Sequence, residues 1–333
     1  MRACRLSNGS SILLLITAAA LVGSSWVLAA DPPPKAMRLG FVDPHSPSTD
    51  LRGVNEFWQR LHELGWEEGQ NLVVERRWAG GRIDRLPGLM AEVVANNVDV
   101  LVTYSTPAAL AAKRATSTVP IVVASMGDPV GTGEAQSLAR PGGNLTGLSL
   151  GYADIAGKWL ELLQETVPRL SAVALISNPD SPVSASCAKA LAAIAPTLRL
   201  KIRVFGVPGP KAFGGAFKQA RRQAQAVIVL PDPVSLEHRQ EVAALAARYR
   251  LPAIYFVRDF VDAGGLMAYA PDSVAMLRRA AEFVDKVLKG AKPGDLPIEQ
   301  PTKFELIVNL KTAKALGITI PESILLRADE VIK

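Results

Sequence analysis

The sequence predicts an α/β fold made of two similar, doubly wound lobes joined by a hinge. Three observations carry that expectation. Short β-rich runs alternate with helical patterns along most of the 333 residues, as in a parallel sheet covered by helices. The alternation restarts near residue 149. Several β-runs also end in an X-Pro step, the form in which a strand hands over to a helix N-terminus.

The elements follow in order. Arg2 and Arg5 precede an apolar run from Ile12 to Val22, and small residues follow at Ala29 and Ala30. This is the pattern of a secretory leader over residues 1–29, cleaved near Ala29 or Ala30. The run falls short of the ~20 residues that span a bilayer, so the mature chain is expected to be soluble and monomeric. No cysteine stands at the junction to carry a lipid. Residues 30–36, with the Pro-rich stretch Asp31–Pro34, read as a linker.

A first lobe is expected over 37–148 together with 272–295. Its strands are Met37–Val42, Asn71–Trp78, Val98–Tyr104, Val119–Ser125 and Leu145–Leu150. Helical patterns lie between them: Val54, Phe57, Trp58, Leu61 and Leu64 share a face that ends at Gly65, and further helices fall near Leu86–Ala95, Pro107–Ala115 and Val130–Ala139. A second lobe is expected over 149–271, with 296–333 as a tail that recrosses the hinge. Its strands are Ala172–Ser177, Lys201–Val207, Ala226–Leu230, Ala253–Phe256 and Leu266–Ala270, alternating with helices near Ile155–Val167, Pro182–Ala195, Phe213–Gln223 and Leu236–Arg248. One more helix, capped by Asp272 and ended at Gly290, carries Leu277, Ala280, Ala281, Val284, Val287 and Leu288 on one face and crosses back to the first lobe.

Composition excludes several classes. The net charge of +6 falls to +4 once Arg2 and Arg5 leave with the leader, and no basic run is interleaved with aromatics, so nucleic acid is not an expected partner. Cys187 is the one cysteine left, so no internal disulfide framework is available. His45, His62 and His238 are far apart, which argues against a metal site. Gly131-Thr132-Gly133 lacks the third glycine of a dinucleotide fingerprint, and Ala156-Gly157-Lys158-Trp159 lacks the Ser/Thr of a phosphate loop. No cofactor is expected. Gly147-Leu148-Ser149-Leu150-Gly151 matches a nucleophile elbow, which leaves a secreted hydrolase using Ser149 and His238 as the alternative from another class.

Ligands of open α/β sheets bind beyond the carboxyl ends of the strands. Five ends here share one chemistry: Asp43-Pro44, Thr106-Pro107, Asp128-Pro129, Asn178-Pro179 with Ser181-Pro182, and Asp232-Pro233. Helices starting there would aim free N–H groups and positive dipole ends into one cleft, a site for a carboxylate. Asp128 and Asp232 would face each other from opposite lobes and hold an ammonium group. The candidate ligand residues are Asp43, Ser105, Thr106, Asp128, Asn178 and Asp232, with no catalytic residue among them. A zwitterionic amino acid would satisfy both halves.

The chain also resembles the ABC transporter substrate-binding proteins whose better-understood members bind aromatic amino acids. The resemblance runs from about Met37 to Lys333. It rests on Leu64-Gly65-Trp66-Glu67-Glu68-Gly69-Gln70-Asn71, Thr106 to Lys113, Gly127-Asp128-Pro129-Val130, Arg140 to Gly147, Gln300 to Leu306 and Asn309 to Gly317. It implies a type I periplasmic-binding fold with three hinge strands, lobe closure on a small amino-acid-like or carboxylate ligand, and delivery to an ABC permease served by a separate ATPase. It also implies a periplasmic location and cleft positions at Thr106, Asp128, Asn178 and Asp232. A ligand sensor docking on a membrane receptor would share that fold. The family tends to carry small Ser or Gly residues after the first strand. Val42-Asp43-Pro44-His45-Ser46 adds bulk and charge there, which argues against an aromatic ligand.

Overall fold

Strands that are largely apolar are buried on both faces, and β3 (Val100–Thr103) and β8 (Ala226–Val229) are buried at every residue. They sit inside two sheets. The computed structural model describes residues 36–49 and 52–333. The expected leader, residues 1–29, lies outside these, as does the linker at 30–36 apart from Ala36.

The first sheet adds β1 (Met37–Asp43), β2 (Leu72–Trp78), β4 (Ile121–Met126) and β5 (Leu145–Ser149), in the order β2-β1-β3-β4-β5 with every pair parallel. The second runs β12-β11-β10-β9-β8-β6-β7. Its strands are β6 (Ala172–Ser177), β7 (Lys201–Gly206), β9 (Ala253–Tyr255), β10 (Met267–Pro271), β11 (Phe304–Asn309) and β12 (Glu330–Ile332). Only β10 and β11 pair antiparallel. Both sheets are therefore doubly wound, and strand order reverses beside β1 in one and beside β6 in the other.

The helices over the first sheet are α1 (Arg52–Glu63), α2 (Leu86–Ala95) and α3 (Thr106–Ala115); over the second they are α4 (Tyr152–Thr166), α5 (Pro182–Ile194), α6 (Phe213–Gln223), α7 (Pro233–Glu237), α8 (Arg239–Arg248) and α9 (Asp259–Asp262). The tail adds α10 (Ser273–Leu288), α11 (Leu310–Leu316) and α12 (Glu322–Leu325). Helix α1 ends in a Schellman turn: Gly65 takes φ +91° while Gly65 N–H and Trp66 N–H reach back to His62 O and Leu61 O. Asp272 caps α10 by accepting from Ala275 N–H at 3.0 Å. The apolar stripe of α10, with Ala280, Phe283 and Val284 among its buried residues, packs with Phe57 and Leu61 of α1 in one cluster with strands of the first sheet. Trp66 Nε1–H to Asp285 (2.9 Å) and ion pairs from Arg60 and Arg278 fasten its outer side. The chain passes between the sheets after β5, after β10 and before β11, where Glu299 N–H donates to Gly147 O and Ser149 N–H to Glu299 O.

Two expected helices differ. Val130–Ala139 is a chain of turns, because Asp128 Oδ1 accepts from Gly131 N–H, Gly133 takes φ +82°, and Gln136 N–H turns to Pro141 O instead of continuing a ladder. Asp128-Pro129 consequently starts no helix, and neither does Asp43-Pro44. The Leu236–Arg248 helix breaks at His238 (φ −97°, ψ 24°), which ends α7 and begins α8.

Candidate functional site

The reversal points of the two sheets face one cleft. Loops after β1 and β3 form its first wall, loops after β6, β8 and β9 its second, and the start of α10 closes one side. That is where ligands sit in doubly wound sheets. The cleft encloses about 900 Å³ of empty space, its open mouth included. Its surface is mostly apolar and aromatic, from Tyr104, Tyr152, Val183, Leu236, Phe256 and Met276. Among the described residues no lysine or arginine lines it.

The second wall carries its charge ready-made. Asp232 follows β8, is 6% exposed, and caps α7 by accepting from Ser235 N–H at 3.0 Å through Oδ2. Its other oxygen accepts from Asn178 Nδ2 at 3.0 Å, and Asn178 Oδ1 accepts from Asp180 N–H. Asn178 thus orients Asp232 from behind the wall. Asp259, at the head of α9 after β9, is a second buried carboxylate on the cleft. Burial pushes both carboxyl groups above the usual aspartate range, opposed at Asp232 by the bonds from Asn178 and Ser235. Two buried carboxyl groups beside an apolar surface would be stabilised in their ionised form by a cation.

The first wall is unfinished. Ser105, just before α3, has φ +79°, a conformation costing L-residues roughly 1–3 kcal/mol, yet its side chain does not cap the helix. Its Oγ is buried on the cleft with no partner among the described residues. Thr106 is spent structurally, its Oγ1 accepting from Gly127 N–H at 2.9 Å. His45 is 2% exposed and also lines the cleft; its Nδ1 lies 3.2 Å from Asp43 Oδ1 and 3.3 Å from Tyr104 Oη, while its Nε2 is buried and unpartnered. Asp43 sits behind His45 and also takes the His45 backbone N–H at 2.7 Å. Burial, with Asp43 nearby, holds the Tyr104 phenol well above its usual range, so it stays a proton donor.

The structure therefore brings Ser105, Thr106 and Asp232 onto the cleft and sets Asp43 and Asn178 directly behind it. Asp128 is different: it follows β4, one strand away from the reversal, lines a neighbouring pocket with Ser149 and Asp154 that meets the main cleft at Gly127, Tyr152 and Val183, and caps its own turn. It does not join Asp232 on the main cleft. His45, Tyr104, Tyr152, Phe256 and Asp259 were not among the sequence candidates. Asp259 could have been found by following β9 four residues past its end, but no proline marks it. Asp43 Oδ1 faces the backbone N–H and Nδ1 of His45, so the charge added after β1 is held behind the cleft.

The Gly147 to Gly151 segment does not present its serine as a nucleophile elbow would. Ser149 Oγ donates to Gly127 O at 2.8 Å in a buried setting. Gly147 (φ +137°) is required because a Cβ there would stand 2.0 Å from Val123 O, and Gly151 (φ +56°) begins α4. His238 faces Glu241 and the Phe213 ring.

Two α/β lobes around a buried cleft define a ligand-binding protein of the type I periplasmic-binding fold. The family model of the ABC transporter substrate binding protein matches residues 41–332, and the chain belongs to that family. A tyrosine-binding protein of Clostridioides difficile is 27% identical over 272 residues, 82% of this chain and 78% of that one. The crystal structure of a Streptococcus pneumonia ABC domain in complex with L-Trp superposes with a TM-score of 0.84 at 27% identity, covering 90% of this chain and all of the other. A conserved domain protein from Vibrio cholerae gives 0.84 at 26%, covering 89% and all of it.

Proposed function

We propose that this chain captures an amino-acid-like zwitterion between its lobes and hands it to an ABC permease with a separate ATPase, without catalysing a reaction. The observation that carries the reading is the division of polar groups across the cleft. Asp232 and Asp259 supply a place for an ammonium on the second wall, while Ser105 Oγ at the head of α3 supplies a donor beside a helix N-terminus for a carboxylate on the first. The apolar and aromatic surface between them suits a large side chain. Relatives named for tyrosine and solved with L-Trp support that class of ligand.

Closure of the lobes on the ligand belongs to the proposal. Glu237, at the end of α7, accepts from Ser46 N–H (3.1 Å), Ser46 Oγ and Thr49 Oγ1 (2.8 Å), so a second-lobe carboxylate is held by a first-lobe loop. Helix α7 begins at Asp232 and the loop begins at Asp43, which ties both sides of this bond to the walls of the site. A periplasmic location after removal of residues 1–29, and a monomeric mature protein, complete the reading. Thermal-shift screening of ligand-stripped protein tests it: aromatic amino acids at a hundredfold excess over Kd should add about 2.7 kcal/mol, and a full panel of amino acids without effect would overturn it.

A further inference from the structure

His45 lines the cleft with one ring nitrogen buried and without a partner among the described residues. The ring is buried and stacked on Tyr104 with centroids 5.5 Å apart, so its orientation is set by packing. One ring nitrogen is engaged behind the wall. Nδ1 faces Asp43 Oδ1, and an ionised carboxylate oxygen can only accept, so in the neutral imidazole the proton lies on Nδ1. Tyr104 Oη lies 3.3 Å from the same Nδ1, and burial with Asp43 nearby holds its phenol well above the usual range. Nε2 is then a bare lone pair inside an apolar cleft, with no partner among the described residues. A buried acceptor left unpaired is costly. Ser105 Oγ, the other unpartnered atom on this wall, can rotate to donate or accept, whereas Nε2 cannot.

We infer that His45 Nε2 accepts a hydrogen bond from the side chain of the ligand, selecting aromatic amino acids that carry an O–H or N–H on the ring. The inference rests on the proposed amino-acid reading of the cleft. Asp43 is a positioning residue in this scheme: it fixes the tautomer and never meets the ligand.

Titration calorimetry of ligand-stripped protein with L-tyrosine and L-phenylalanine, which differ by one hydroxyl, gives the readout as a ratio of affinities. The wild-type protein should favour L-tyrosine at least ~tenfold, since a buried acceptor rejects a partner that lacks the donor. His45→Phe keeps the stacked ring and should bring the ratio near one. Asp43→Asn, milder for the fold, frees the tautomer and should shrink the ratio without abolishing either binding. Equal wild-type affinities for the two amino acids, or a tyrosine preference that survives in both variants, would overturn the inference while leaving the amino-acid reading intact. Binding of neither amino acid would sink that reading and the inference together.

Discussion

The two walls of the cleft are assembled from the same part, a β-strand end beside a sheet reversal, yet they are finished in opposite ways. On the second wall Asp232 is held from two directions, by Ser235 N–H and Asn178 Nδ2, before any ligand arrives. On the first wall Ser105 Oγ and His45 Nε2 have no partner among the described residues. A preset charge lowers the ordering cost of binding; an unpaired polar atom supplies a contact made only when ligand is present. In the proposed reading one wall gives the cleft its charge and the other its discrimination.

The comparison can be broken hardest at Asp232. Asp232→Ala removes an anchor and a cap together, and truncating one partner of a buried charged hydrogen bond costs ~2–5 kcal/mol in affinity, with ~0.5–2 kcal/mol of stability lost with the cap. Asp259→Asn separates these effects. Asp259 caps no helix, so calorimetry should show weaker binding while the melting temperature of the ligand-free protein holds or rises. A fall in stability without loss of affinity in both variants would leave these residues a structural role alone.

The next largest effect is steric. A Cβ on Gly127 would lie 2.5 Å from Val183 Cγ2, a first-lobe loop against a second-lobe helix with a stiff β-branched side chain. Gly127→Ala should hold the walls apart, weakening binding about tenfold or more while the separate lobe cores stay intact. Small-angle scattering would show a larger radius of gyration with saturating ligand than in the wild type. An unchanged radius and affinity would mean that these walls do not need to approach.

Acid titration sharpens the contrast further. Asp232 and Asp259 have folded pKa values raised by burial above the ~3.9 of an unfolded aspartate. Their favourable contribution to the ligand-free protein is full below that value and is lost as pH rises through the folded values. Ligand-induced stabilisation should run the other way, growing as the two carboxylates ionise and can hold an ammonium. Melting curves with and without ligand from pH 4 to pH 8 check both slopes. The smallest effect is expected at Asp128→Asn, where less than a threefold change in affinity is predicted, because Asp128 caps its own turn off the main cleft.

Much of this was readable in the sequence because alternation of strands and helices is a local property. The strand ends beside the reversals were found by type, since Thr106-Pro107 and Asp232-Pro233 combine a helix start with a cleft position. Asp128-Pro129 has the same letters and a different fate. Gly131 and Gly133 let that segment turn back, and nothing in the dipeptide records that β4 lies one strand away from the reversal. His45 and Asp259 were missed for a related reason: their importance comes from what they face, and a histidine two residues after an aspartate is silent until folding places Tyr104 against it. The Gly147 to Gly151 pattern misled because two glycines required by close approach and positive φ happened to bracket a serine.

The central claim is that the two walls divide a zwitterion between them. Titration calorimetry of ligand-stripped protein with L-tyrosine, tyramine and 3-(4-hydroxyphenyl)propionate tests it directly, since the second lacks the carboxylate and the third the ammonium. Each truncated ligand should bind more than tenfold more weakly than the amino acid. Equal affinity of the propionate would contradict the ammonium site at Asp232 and Asp259, and equal affinity of tyramine would contradict the carboxylate site at Ser105.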